Sequence, residues 1–126
     1  MTAASWRRVW LLAAGLLGAA AVGLGAYAAH GLAGAEQELV EKASRYGLIH
    51  ALALLALAQS PSIGRLRILA GLLFIAGSLL FCGALVGLGV FAWPVAFIAP
   101  FGGSAFILGW LALAGTAIGG ESPPGV

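Results

Sequence analysis

Apolar and polar positions separate along this chain in whole segments. Four long stretches of Leu, Ala, Gly, Val, Ile and Phe are divided by three short breaks, and the charges gather at the breaks and the two ends. A bilayer core about 30 Å thick takes roughly 20 apolar residues per helix, so the chain's length permits about four spans. The first, residues 9–29, follows a head carrying Arg7 and Arg8. His30 to Gln37 then forms a turn with Gly31 and Gly34 as breakers. A second helix starts near Glu36 and runs to Ala58, since Leu39, Val40, Ala43, Tyr46 and His50 keep a helical spacing; its inserted part is residues 39–58. Glu38, Glu41, Lys42 and Arg45 crowd its first turns, with Glu38–Lys42 and Glu41–Arg45 in the favourable order for ion pairs four residues apart. Only Tyr46 to Ala58 is free of charge, which is too short to span unless the charged turns reach the interface.

Gln59-Ser60-Pro61-Ser62 ends this helix, and a loop with Arg65 and Arg67 leads into a third span over residues 68–90. Phe91-Ala92-Trp93-Pro94 makes a tight turn, with Trp93 at the interface and Pro94 starting the fourth span, residues 95–118. Pro100, Gly102 and Gly103 interrupt that span early, because proline removes a backbone donor and paired glycines loosen a helix. The pattern therefore predicts a single all-α domain: an integral membrane four-helix bundle, its fourth helix kinked or broken near Pro100. Residues 119–126 read as a flexible tail. Helix packing is expected where small residues recur every four positions, at Gly15, Ala19 and Gly23, and at Gly83 and Gly87 in a G-x-x-x-G pattern.

Composition agrees with the segment pattern: 62% of residues are hydrophobic, 8% are charged and the mean hydropathy is +1.07. Polar residues are too few to coat a water-soluble domain, and the bases sit at the ends of apolar runs, so nucleic acid is excluded as a partner. Ser5 to Leu11 superficially resembles a twin-arginine export signal, with Ala26-Tyr27-Ala28 as a cleavage site, but the further spans favour a retained helix. Arg7, Arg8, Arg65 and Arg67 fall on one side and Lys42 and Arg45 on the other, which predicts cytoplasmic termini. Cys82, the single cysteine, reads as a small core residue.

The chemistry-bearing residues are few. His50 lies one turn after Tyr46, so the two rings share a helix face. A histidine in a membrane segment is either a neutral ring bonded to a neighbouring helix or a contact for a proton, ion or lipid. His30 is twenty residues away and no second ligand has metal-site spacing, so no metal, cofactor or catalytic residue is expected. Arg45 is the deepest charge, placed to pair with Glu41, to hold an anionic lipid headgroup, or to snorkel. His30, Arg45, Tyr46 and His50 together are the candidate polar site. The expected partner of His50 is the fourth helix around Pro100 or the His30 turn.

Gly25-Ala26-Tyr27-Ala28-Ala29-His30-Gly31-Leu32, Tyr46 with His50-Ala51-Leu52-Ala53-Leu54, Leu80-Phe81-Cys82-Gly83-Ala84-Leu85, and Pro100-Phe101-Gly102-Gly103 through Gly109-Trp110 carry a family pattern. Over nearly its whole length the chain resembles a small inner-membrane family of unknown function, the YgdD-like and YwdK-like proteins. It departs from that pattern at Ala28, Gly47, Cys82 and Ala84, where the family usually has glycine, glutamine and two serines. The resemblance implies a four-helix protein of the bacterial plasma membrane and no particular reaction. The function expected is that of a non-enzymatic structural or accessory subunit, with membrane lipids, further copies or a larger membrane complex as partners. The alternatives are a homo-oligomeric transporter or channel for a proton, ion or small solute, and an anionic-lipid-binding protein. An enzyme would need His30 and His50 to converge with a carboxylate. A His50 facing a hydrated path favours conduction, and a sealed His50 favours the scaffold.

Overall fold

Inside a bilayer no water meets a backbone N–H or C=O, so each apolar stretch satisfies its own polar groups by coiling into a helix. The computed structural model describes residues 2–118, and the tail expected over 119–126 lies outside them. Helix α1 (Ala3–Gly31) begins at Thr2, whose hydroxyl accepts from the Ser5 N–H at 3.1 Å. Two extended residues later α2 (Gly34–Gln59) runs back along α1. Gly34 makes the reversal with φ +62, a left-handed value that glycine adopts without a Cβ clash. Gln37 Nε2 donates at 3.0 Å to the Ala28 carbonyl in the last turn of α1.

The third span is one 27-residue column, Arg65–Phe91, with a defect at its centre. Helix α3 (Arg65–Gly77) passes into a π-helical turn, Ser78–Cys82, and continues as α4 (Gly83–Phe91). It ends at Ala92, held left-handed at φ 55, where the Trp93 N–H returns to the Gly87 carbonyl at 3.0 Å. A 3-10 turn (Ala96–Ile98) then leads into α5 (Ala99–Gly115). Three of these helical columns, Ala3–Gly31, Arg65–Phe91 and Ala96–Gly115, are long and apolar enough to cross a membrane. The charges of α2 keep it outside that group by composition, but at 26 residues, about 39 Å, it has the length.

Several expectations need correction. Pro94 lies in the turn before α5, and Pro100 takes the first-turn position instead, where a missing N–H costs nothing. The break expected near Pro100 takes the form of a 3-10 entry to the last helix, after which Gly102 and Gly103 continue as regular helix. A Cβ placed on Gly15 or Gly23 would meet no atom within 4 Å, and Ala19 is exposed, so no helix packs closely on this stripe. The stripe that meets α2 is Ala14, Gly18, Ala21, Gly25 and Ala28, spaced four and three, the period of two helices crossing at a shallow angle. Gly83 also meets nothing within 4 Å, whereas a Cβ on Gly87 would lie 3.0 Å from Trp93 and Val95, so Gly87 seats the turn and not a second helix. Neither Glu38–Lys42 nor Glu41–Arg45 closes into an ion pair among the described residues; Glu38, Lys42 and Arg45 are exposed and Glu41 is half-buried.

The core at the Arg7 end is Trp10, Leu54, Leu57, Ala58, Ala70 and Phe74, in which the Trp10 ring fills the space left by Gly71. Arg7 donates to the Ser60 and Pro61 carbonyls at 3.4 Å, tying the start of α1 to the α2–α3 loop. Beyond Trp10, α1 and the third span part, leaving an apolar groove with two adjoining pockets of about 470 and 360 Å³.

Candidate functional site

The site forms where glycines let aromatic rings bring α2, the third span and α5 close together. A Cβ on Gly77 would lie 2.5 Å from the Phe106 ring, and one on Gly109 would lie 2.8 Å from Phe74. At Gly102 a Cβ would collide with the backbone of Phe81 inside the π-helical turn. These three absences of a side chain press α5 against the third span. The π turn itself is supported by Ser78, whose hydroxyl donates to the Phe74 carbonyl at 2.8 Å, and by Cys82, whose thiol donates to the Ala43 carbonyl of α2 at 3.3 Å.

His50 sits among these rings with 3% of its surface exposed. Its plane lies against Phe106 at 3.6 Å between ring centroids and 11° between planes, and Phe74 and Trp110 tilt against it at 5.4 and 5.8 Å. Both ring nitrogens are engaged. The Trp110 indole, which can only donate, gives its N–H to His50 Nε2 at 3.1 Å. The Tyr46 carbonyl, which can only accept, lies 2.7 Å from His50 Nδ1. The two neighbours together fix the neutral tautomer with its proton on Nδ1, since a proton on Nε2 would expel the Trp110 donor. Gly47 packs on Ala21 and Gly18 on Ala51, so His50 stands at the height of the middle of the first apolar run.

The other candidates lie elsewhere. His30 is exposed at the end of α1, while His50 is sixteen residues into α2, about 24 Å along the helix axis. Arg45 points outward and is exposed. Tyr46 contributes its carbonyl to His50 and its ring to Phe81 at 4.9 Å. The partner of His50 is the fourth span, at Phe106 and Trp110, one and two turns beyond Gly102 and Gly103; Pro100 is exposed, and the His30 turn takes no part. At this contact a depression of about 290 Å³ opens, lined by His50 itself together with Tyr46, Phe81, Gly103, Phe106, Ile107 and Trp110. Among the described residues no three His, Cys, Asp or Glu side chains gather as they would to hold a metal ion.

The hydropathy pattern does not single out Phe74, Phe81, Phe106 and Trp110 as site residues, nor does it show the π turn. Their spacing carries the signal: Phe74 and Phe81 are seven apart, and Phe106 and Trp110 four apart, each pair on one helix face. Gly102 and Gly109 repeat the seven-residue interval on α5.

An all-helical bundle of apolar spans, with its interior sealed by aromatic rings, defines an integral membrane protein. The chain belongs to the family described as "Protein of unknown function (DUF423)", whose pattern matches residues 24–103. Among curated relatives, a UPF0382 membrane protein of Staphylococcus aureus is 38% identical over 99 residues, covering 74% of this chain and 81% of the relative. The UPF0382 membrane protein YwdK of Bacillus subtilis is 33% identical over 120 residues, 88% of this chain and 97% of its own. A UPF0382 membrane protein of Schizosaccharomyces pombe is 35% identical over 113 residues, 81% and 94% respectively. No solved structure matches the chain.

Proposed function

We propose that the protein is a non-enzymatic structural or accessory subunit of the bacterial inner membrane, crossing it four times with α2 included and with both termini cytoplasmic. The observation that carries this reading is the engagement of both ring nitrogens of His50. A residue that conducts protons or ligates an ion needs a free ring nitrogen facing water or a ligand, and here one nitrogen holds a tryptophan N–H and the other a backbone carbonyl. The separation of His30 from His50 counts against a shared catalytic centre, and Arg7, Arg8 and Arg65 at one end support cytoplasmic termini.

The test is reconstitution of the purified chain in vesicles holding a pH gradient, together with native mass analysis after mild detergent extraction. The expected result is a proton leak no faster than that of protein-free vesicles, and a stoichiometric membrane partner in the mass spectrum. A leak that disappears in His50→Ala would reverse the reading in favour of conduction.

A further inference from the structure

The height of α2 against α1 is fixed by two hydrogen bonds, Gln37 to the Ala28 carbonyl at 3.0 Å and Ser44 to the Ala21 carbonyl at 2.6 Å. Residues 37–44 of α2 therefore run beside residues 21–28 of α1, which still belong to its apolar run. Arg45 starts from a Cα about 12 Å below the level where that run ends at Ala29. Glu38, Lys42 and Arg45 are all exposed, and among the described residues none of them closes a hydrogen bond or an ion pair. They continue into Ile49, Leu52 and Ala56, also exposed, at successive spacings of four and three. That is the period of a helix-packing seam, here presented on the outside of the bundle.

Charges at this depth are expensive unless paired, and the sign order of the seam decides what pairs with it. An anionic lipid would reach the outer acids first: the outer half of α2 carries Glu36, Glu38 and Glu41 against Lys42 and Arg45. A second copy in the same orientation, related by an axis along the membrane normal, would set Lys42 against Lys42 and Arg45 against Arg45. We infer that this face of α2 docks a transmembrane helix of a different protein, carrying a basic residue at the level of Glu38 and carboxylates one and two turns deeper, opposite Lys42 and Arg45. The inference rests on the accessory-subunit reading and names the surface and the chemistry of the partner.

The test uses the full chain in phosphatidylcholine vesicles with a synthetic Leu/Ala transmembrane peptide bearing one Lys near its outer end and Glu one and two turns deeper. Association is read by energy transfer between labels on chain and peptide. The expected result is binding about tenfold tighter than to a peptide of opposite sign order, with the preference inverted in an E38K/K42E/R45E variant. Equal binding of both peptides overturns the inference, as does a preference unchanged in the variant. So does an association that needs phosphatidylglycerol and ignores the peptide's sign order, which would assign the seam to lipid. Should the triple variant fail to insert, the comparison of the two peptides on the unaltered chain decides alone. Equal peptide binding leaves the accessory-subunit reading intact where a stoichiometric partner is still found by native mass analysis.

Discussion

A single imidazole organises the middle of this protein, and its two hydrogen bonds have different standing. The bond to the Tyr46 carbonyl is local, one turn back on the same helix, whereas the bond from Trp110 joins α2 to α5 across sixty residues of sequence. Trp110→Phe removes that second bond and keeps an aromatic ring at the position, so it is expected to cost about 1 kcal/mol in thermal unfolding in detergent. His50→Ala removes the stacked ring as well and leaves the Trp110 N–H unmet, with an expected cost of about 3 kcal/mol and membrane insertion retained. Equal melting temperatures for His50→Ala and the parent would remove the imidazole from the architecture. At this scale the sequence identifies His50 and its position one turn from Tyr46, because both belong to one helix. Its true partner depends on how α5 is rotated, which nothing local to His50 encodes.

Between elements, aromatic rings enter glycine notches to join α5 to the third span, small residues such as Gly18 and Gly47 let α1 and α2 touch, and Gly15, Gly23 and Gly83 meet no neighbouring atom. Gly102→Ala brings a methyl against the Phe81 backbone, which cannot swing aside as a side chain would, and is expected to lower stability by about 2–3 kcal/mol. Gly83→Leu and Gly15→Leu enter open space and are expected to leave the melting temperature within about a degree or two of the parent. A strong loss at Gly83 would mean that an unseen helix covers it. Small residues every four positions are legible and misleading, since a four-residue stripe drifts around a helix while the contact between two nearly aligned helices repeats every seven. Ala14, Ala21 and Ala28 carry the correct period. The π turn is not legible in the segment pattern; its Phe81 backbone lies against Gly102 of α5, a contact between two helical columns that no local stretch encodes.

For the molecule as a whole, the four helical columns and their order follow from the segment pattern, and the end-to-end charge asymmetry follows with them. Arg7, Arg8 and Arg65 lie at the end shared by the head of α1 and the α2–α3 loop, and the α1–α2 turn lies at the other. With Cys82 buried, new cysteines report the topology cleanly. In intact cells Ser62→Cys is expected to resist a membrane-impermeant maleimide and Ala33→Cys to react, and the opposite labelling would invert the orientation. The groove between α1 and the third span has a mechanical consequence. Its walls meet at Trp10 and Gly71 and stand apart from Ala13 and Ile75 onward, so the two columns form a wedge closed toward one leaflet and open toward the other. Because Gln37 and Ser44 hold α1 to α2 beside that opening, the wedge keeps its shape without any contact between its two walls, and its apolar mouth faces one end of the bundle alone.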